Sequence, residues 1–254
     1  MRKSGTPRFL VAPAAFLALS AAAQAPSAPP AVRVLAGDVT DERVAATARR
    51  GQLTVQLKVR GDGLDGVRAL RLHLTAARDD LGTPLLPDTT ATPKFRDVRG
   101  ERADENLSLR NPPREAKSFS LSGRVELFVP ARDPGSVVKV PKALLNSGRA
   151  LASPGLEAAK MRFSVLRRDP AVNESVTLRG RTADFDRLHS IGILGPDGSE
   201  VRVVGTGRIS DGEEAAMTLE ASGPIPKDAS LVFTILTPKA LVPVPFDMKD
   251  VPLP

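Results

Sequence analysis

Strict alternation of apolar and polar residues is the feature that most constrains the fold of this chain. The segment LTVQLKVR (53–60) places an apolar residue at every second position, and Leu70, Leu72 and Leu74 repeat the pattern in VRALRLHLTA (67–76). Residues two apart in a strand project to the same face, so these segments are predicted to be half-buried strands of antiparallel sheets. No helical period is sustained over about 11 residues beyond residue 30.

Short strand patterns continue to the C-terminus, separated by Gly, Pro and Asp. This spacing predicts an all-β fold with two antiparallel immunoglobulin-like β-sandwiches. The first is expected over residues 31–168 and the second over 169–254, with RRDPAVNE (167–174) as the linker between them. The mixed-charge stretch 88–115 has too few apolar residues to bury itself, and is predicted to be a surface insertion of the first sandwich.

The N-terminus has the organisation of a secretory signal peptide. Basic residues precede an apolar run that ends in small residues at Ala23, and the run contains Pro13 and is shorter than a membrane span. Residues 1–23 are therefore predicted to be a signal peptide cleaved after Ala23, or alternatively after Ala25, with a Pro/Ala linker over 24–30. The mature chain is expected to be extracytoplasmic, either periplasmic or secreted, without a transmembrane segment.

Charge and aromatic content argue against nucleic acid as a partner. The chain has a net charge of +7, of which Arg2, Lys3 and Arg8 in the signal peptide supply three. It has no Trp and no Tyr, so it lacks most of the stacking platforms that single-strand binders use. With no Cys, disulfides, lipid attachment and thiolate metal sites are excluded as well.

The adjacent carboxylates in ARDDLGTPLLP (77–87) form the most site-like cluster in the sequence. Asp79 and Asp80 are neighbours on an extended chain, so their side chains point to opposite faces and do not converge on one substrate atom. We predict a turn, with Gly82 in the left-handed conformation and an Asp side chain accepting hydrogen bonds from the backbone. The alternative is a calcium site completed by Asp62 or Asp65, although the specific calcium-loop motif is absent.

Nucleophile and proton-transfer motifs are missing. There is no G-x-S-x-G, and SVVK (136–139) matches S-x-x-K only on a predicted strand, where Ser136 and Lys139 face opposite ways. His73 and His189 each stand alone in a strand pattern and are read as exposed. The sequence therefore predicts no catalytic residue, no metal ligand and no cofactor.

One basic surface is a candidate for binding. If residues 53–60 and 69–76 pair as a hairpin, Lys58, Arg60, Arg71 and His73 share its solvent face. Such a face is suited to an anionic envelope polymer, whereas the simpler interpretation is an ordinary solvated strand.

The ending VPVPFDMKDVPLP (242–254) is an unusual strand. Val244, Phe246 and Met248 fall on one face, which predicts burial against the second sandwich. Pro243 and Pro245 lack backbone donors, and prolines in a sheet are confined to edges, strand starts and bulges. The segment is therefore predicted to be an edge strand whose prolines block pairing with a neighbour; a partner that adds a strand would use the opposite edge of the sheet.

Several of these segments carry a resemblance. The N-terminus, the turn DDLGTPLLP (79–87), SLSGRVELFVP (120–130) and the C-terminal strand together resemble a type of uncharacterised exported bacterial protein built from immunoglobulin-like domains. The resemblance implies the fold and carries no activity with it. The functional expectation is an exported, non-enzymatic module that contacts an envelope protein or polymer. The alternative is a hydrolase, or its accessory subunit, with a site assembled from dispersed Asp and Glu residues.

Overall fold

The computed structural model describes residues 31–43, 51–88, 93–98, 100, 102–167 and 175–254. The predicted signal peptide and the linker at 24–30 lie outside these residues. Within the described part of the chain, no helix is long and apolar enough to cross a membrane.

The predicted all-β class is confirmed, with several antiparallel sheets. Two short helices, α1 (Pro154–Ala158) and α2 (Thr182–Asp186), accompany the strands. In chain order the strands are β1 (Ala31–Glu42), β2 (Gln52–Asp62), β3 (Ala69–Asp79), β4 (Arg96–Asp97), β5 (Arg102–Leu109), β6 (Ser118–Phe128), β7 (Val137–Val140), β8 (Phe163–Arg167), β9 (Ser175–Arg181), β10 (Leu188–Leu194), β11 (Glu200–Val201), β12 (Val203–Asp211), β13 (Glu214–Ala221), β14 (Ser230–Ile235) and β15 (Leu241–Pro252).

Two sheets enclose the first core. Sheet A has the strand order β1-β2-β5 and sheet B has the order β15-β6-β3-β4. The alternation in β2 and β6 turns one face of each sheet inward, and this buries Leu53, Val55, Leu57 and Val59 against Phe119, Leu121, Val125 and Leu127. We call this pair of sheets the first sandwich.

Two further sheets enclose a second core, and we call them the second sandwich. Sheet C has the order β11-β10-β14-β7, and sheet D has the order β12-β13-β9-β8. Phe163 lies at the centre of this core, with its ring centroid 5.1 Å from that of Phe185 and 5.3 Å from that of Phe233. Buried aliphatic residues from all four central strands surround these rings.

The strand pairing differs from the expected boundary at residues 168 and 169. β7 pairs with β14, and β8 pairs with β9, so both earlier strands belong to the second sandwich. The expected linker falls between two strands that are neighbours in one sheet. In the other direction, β15 pairs with β6 and returns to the first sandwich. Alternation makes each segment a strand but does not determine its partner, which is why composition placed the boundary wrongly.

The second sandwich is consequently inserted between β6 and β15. Its two connections run side by side, because the Val129 N–H donates to the Ala240 carbonyl at 2.8 Å and the Ser136 hydroxyl lies 2.7 Å from that of Thr237. A small apolar cluster of Ala69, Phe128 and Ala240 is fully buried beside these connections. The two sandwiches are therefore joined by two covalent connections and a packed contact.

The polar stretch 88–115 is not simply an insertion, because it contains β5, which pairs with β2 from Leu53↔Leu109 to Arg60↔Arg102. Ala103 and Leu109 are buried on its inner face, with Glu105 and Leu107 partly buried between them. A small residue and a charged residue at inward positions concealed the strand from hydropathy patterning.

β15 is the edge strand of sheet B, as its prolines predicted. Val242 and Phe246 are buried, with Val244 and Met248 packed beside them, so the predicted apolar face is also confirmed. The core that receives this face is that of the first sandwich, not the second.

Candidate functional site

The predicted basic face is not assembled, because its hairpin does not form. β2 lies in sheet A and β3 lies in sheet B. Lys58 and Arg60 therefore face outward from one side of the first sandwich, and Arg71 and His73 face outward from the other side. Arg60 forms an ion pair with Asp104 at 2.6 Å. The chain thus offers two separate pairs of basic residues instead of one surface.

Arg71 and His73 are directed to a carboxylate on their own sheet. Arg71 Nε lies 2.6 Å from Glu126, His73 Nε2 lies 3.5 Å from it, and Arg124 Nε lies 3.2 Å away. Burial acts to raise the pKa of Glu126, but the hydrogen bonds and charge of Arg71, together with the Arg124 hydrogen bond, outweigh it and lower that pKa. Glu126 is therefore ionised at neutral pH and compensates Arg71, which weakens the case for a polyanion site here.

The turn at Asp79 and Asp80 has the predicted geometry. Asp79 Oδ1 accepts hydrogen bonds from the backbone N–H of Leu81 at 3.0 Å and of Thr83 at 2.7 Å. Gly82 has φ 87°, in the left-handed region. Asp80 instead accepts from the Lys117 N–H at 3.1 Å, on the other side of the strand. The two carboxylates serve separate backbone groups, so the turn prediction is confirmed.

The two histidines are less exposed than the sequence indicated. His189 is 12% exposed, and its ring centroid lies 5.3 Å from that of Phe128, across the contact between the sandwiches. Burial lowers the pKa of His189, although Asp97 at 3.4 Å acts in the opposite direction. A neutral His189 is therefore favoured at neutral pH, packed as part of the contact.

An apolar cavity lies on the side of the first sandwich where β5 is the outer strand of sheet A and the short β4 is the outer strand of sheet B, beside β3. We call this side the open flank. A cavity of about 560 Å³ separates the edge of sheet A from the edge of sheet B there. Five leucines line it, namely Leu70, Leu72, Leu74, Leu86 and Leu107. Leu72, Leu74 and Leu107 are only partly buried, so the flank of the core is accessible from this side.

The backbone edge of β3 is covered at its two ends. β4 pairs with it only at Ala69 and Leu70. At the far end, the chain turns back after Asp79, and the Leu85 N–H donates to the Ala77 carbonyl at 2.9 Å. We call the returning segment 80–85 the hook. Between Leu70 and Ala77, no strand of the described chain pairs with this edge.

The direction of the free backbone groups follows from the pairing with β6. A methyl group placed on Gly123 would lie 2.3 Å from the His73 carbonyl oxygen, so this carbonyl points toward β6. Backbone groups of successive strand residues point to alternate sides. Leu72 and Leu74 therefore direct their N–H and C=O groups away from β6, to the open flank.

Charged residues surround the mouth of the cavity. Arg96 Nε pairs with Glu105 at 3.0 Å, and Lys94 lies beside them. Burial raises the pKa of Glu105, and Arg96 opposes this shift only in part. Among the described residues that line this cavity, Glu105 is the one carboxylate, so these residues do not include a pair of catalytic carboxylates.

A larger cavity, of about 950 Å³, lies between the two sandwiches. Its carboxylates already have partners: Asp65 accepts from the Gly66 N–H and Asp133 from the Gly135 N–H, each at 3.0 Å, while Asp97 faces His189. Across the described ranges, no group of three or more His, Asp or Glu side chains is arranged to hold a metal ion.

Comparisons with protein families, with curated proteins and with solved structures gave no match to this chain.

The sequence predicted the leucines of β3 as core residues but did not predict Glu105, Asn106 and Leu107 as part of a site, because β5 was interpreted as an insertion. The alternation of Leu107 and Leu109 with the polar Asn106 and Ser108 is the signal that could have identified this strand, but it is short and ends at the inward Glu105.

Proposed function

We propose that this protein is an exported, non-enzymatic module that binds a partner in the cell envelope through its open flank. The N-terminal sequence supports export, with the mature chain either periplasmic or secreted. The observation that supports the binding role is the open flank, where a leucine-lined cavity of about 560 Å³ lies beside a stretch of β3 with which no described strand pairs. Pockets of this size with a few convergent polar groups are the usual place for ligands.

The alternative function is a hydrolase that uses the cavity between the sandwiches. Three Asp residues and His189 line that cavity. Asp65 accepts from a backbone N–H of its own turn, and Asp133 accepts from the Thr237 side chain and from a backbone N–H of its own turn, so both carboxylates have structural partners. Catalysis needs a nucleophile or a pair of groups that converge on one atom, and the geometry favours the binding role.

Export is tested by producing the full chain in a bacterium and determining the N-terminus of the protein recovered outside the cytoplasm. We expect a mature chain that begins at Gln24, or at Pro26 if cleavage follows Ala25. Recovery of an uncleaved chain in the cytoplasm would contradict export and a partner in the cell envelope.

Binding is tested by placing a photo-crosslinking amino acid at Asn106, which lines the cavity, in the exported chain. The matched control has the same group at the exposed Asp247, on the opposite edge of the sandwich. We expect a discrete adduct from Asn106 that is lost when Leu107→Lys is added, and no such adduct from Asp247. Equal labelling from both positions would contradict a specific site at the open flank.

A further inference from the structure

We infer that the open flank binds an extended polypeptide segment, which adds to the free edge of β3 as a strand and carries an acidic residue at the end near Lys94. This inference rests on the proposed function and specifies the partner's chemistry. It follows from the backbone of β3, the leucines of the cavity and the charges at its mouth, which are independent features of the site.

The backbone of β3 selects the class of ligand. Leu72 and Leu74 direct their N–H and C=O groups to the open flank, as the pairing of His73 with β6 requires, and no strand among the described residues pairs with them there. A second strand presents its own donors and acceptors at the same two-residue spacing of roughly 6.8 Å. Strand addition uses this match, with main-chain hydrogen bonds supplying affinity. An extended polypeptide therefore fits the edge better than a compact ligand does.

The cavity accounts for side-chain recognition. Alternate residues of an added strand face the same side. One set would enter the space lined by Leu72, Leu74 and Leu107, and the other set would face solvent. The segment is consequently expected to alternate apolar and polar residues, as the strands of this chain do.

The length of the pairing is limited by the bulge in β3. The register with β6 shifts between Leu74 and Ala76. Bulges bend a strand and interrupt its ladder. Pairing is therefore expected to continue from the end of β4 at Leu70 up to Leu74, over about four residues of the partner.

Two other edges of the first sandwich, those of β15 and β5, are less suited to a partner. β15 carries Pro243 and Pro245, which lack donors. β5 turns the charged Glu105 inward, and inward-pointing charges discourage pairing along an edge. The edge of β3 between Leu70 and Leu74 carries neither feature.

Charge indicates which segments are favoured. Arg71 is compensated by Glu126, and Arg96 is compensated by Glu105. Lys94 forms no ion pair with any carboxylate that the structure describes, and it lines the mouth of the cavity. Among the described residues that line the mouth, Lys94 is therefore a positive charge without a described carboxylate partner, and it complements an acidic residue of the partner.

The test measures the affinity of short synthetic peptides for the full mature chain by isothermal titration calorimetry. The probe peptide alternates valine and threonine and has one aspartate, placed at the N-terminal end in one version and at the C-terminal end in the other. We expect one version to bind more tightly, because the aspartate reaches Lys94 in one strand direction. Failure of both versions to bind at millimolar concentration would overturn the inference.

A backbone control separates strand addition from simple capture of apolar side chains. The control peptide has the same side chains but N-methyl groups on alternate backbone nitrogens, in the two possible phases. We expect one phase to lose affinity by roughly tenfold or more, as the removal of main-chain hydrogen bonds predicts. Equal binding by the parent and both methylated peptides would overturn strand addition, while binding at the open flank would survive.

Reversing the charge of Lys94 tests whether the site prefers an acidic residue at one end of the peptide. Lys94→Glu should weaken the aspartate peptide by about two- to fivefold and strengthen a lysine version of it, because exposed ion pairs contribute little energy. Lys139→Glu, at an exposed lysine of the second sandwich, is the matched control and should change neither affinity. Unchanged affinity in Lys94→Glu would overturn the acidic preference.

The outcomes also separate this inference from the proposed function. Photo-crosslinks from Asn106 without any peptide binding would leave an interaction module whose partner is not an extended segment. Self-association of the chain that competes with the peptide would show a second copy to be the occupant, and would overturn a separate acidic partner.

Discussion

The two flanks of the first sandwich show how one pattern of strands is closed on one side and left open on the other. On the closed flank, β1 and β15 lie against each other, and Phe246 fills the space between the sheets. On the open flank, β5 carries Glu105 at the equivalent inward side, and leucines of β3 remain partly exposed. Both flanks are built from strands in which apolar and polar residues alternate. Whether the gap between the sheets is filled therefore depends on which side chain the edge strand turns inward.

The strand edges differ in the same way. The edge of β15 has Pro243 and Pro245, so a neighbouring chain finds no donors at these positions. Among the described residues, the edge of β3 is covered only at its ends, and the N–H and C=O groups of Leu72 and Leu74 lie between them. Edges that remain unprotected are sites where other chains can pair. This difference is the basis on which we propose binding at the open flank and not at the closed one.

The largest expected effect comes from removing the closed flank. Deletion of residues 241–254 takes away β15 and the buried Val242, Phe246 and Val251. We expect the first sandwich to unfold while the second sandwich, which has its own core, retains protected amides in hydrogen exchange. Retention of amide protection in β2 and β6 would show that β15 is not needed to close the core. Lys249→Ala is the control and should unfold like the wild type.

A matched pair of substitutions compares packing on the two flanks. Phe246→Ala should destabilise the chain by about 3 kcal/mol, because it leaves a cavity in a buried site. Leu107→Ala should cost about 1 kcal/mol, because this leucine is only partly buried and already faces a cavity. Urea unfolding followed by far-ultraviolet circular dichroism measures both. Equal losses of unfolding free energy in the two variants would mean that the open flank is packed as tightly as the closed one.

The hook that covers one end of β3 depends on Gly82. Its φ of 87° disfavours a branched residue, and a Cβ there would meet no atom within 4 Å, so the cost is conformational alone. Gly82→Val should destabilise by about 1 to 2 kcal/mol and extend the open edge. Asp79→Asn retains an oxygen that accepts the same backbone hydrogen bonds, and should fold normally. A melting curve for Gly82→Val that matches the wild type would contradict the strained turn.

Replacing the prolines of β15 would give its outer edge backbone N–H donors with which another chain can pair. The double substitution Pro243→Thr and Pro245→Thr restores two donors on an exposed edge strand. We expect little change in unfolding free energy but greater self-association, measured by sedimentation velocity over a range of concentrations. An unchanged sedimentation profile would show that the closed flank is protected by something other than its prolines.

The smallest expected effect concerns the ionisation of Glu105. Its folded-state pKa is raised by burial above the unfolded value of about 4.3. The stability associated with this group is therefore present below the unfolded pKa and is lost as the pH rises through the folded pKa. Glu105→Gln should raise the melting temperature at pH 7, with the difference disappearing near pH 4. A constant difference at both pH values would point to packing and not to charge.

Local features of the fold were predictable from the sequence. Alternation identified β2, β3 and β15 as strands, and prolines placed β15 at an edge. The turn at Asp79 followed from the chemistry of Asp and Gly, and these residues act on atoms only a few positions away. Glu105 escaped notice because a charged residue at an inward position breaks the pattern on which strand prediction depends.

Strand partners and the candidate site were decided by the tertiary structure. β15 pairs with β6 across the whole inserted second sandwich, and alternation alone does not distinguish that partner from a nearer strand. The open flank is formed where β5 has no further neighbour among the described strands and β4 covers only one end of β3, and its lining comes from residues near 72 and near 107. The sequence by itself determined that this chain forms sheets with one apolar face. Only the pairing of distant strands decided which edges are closed and which remain open, because backbone hydrogen bonds between strands are the same for every sequence.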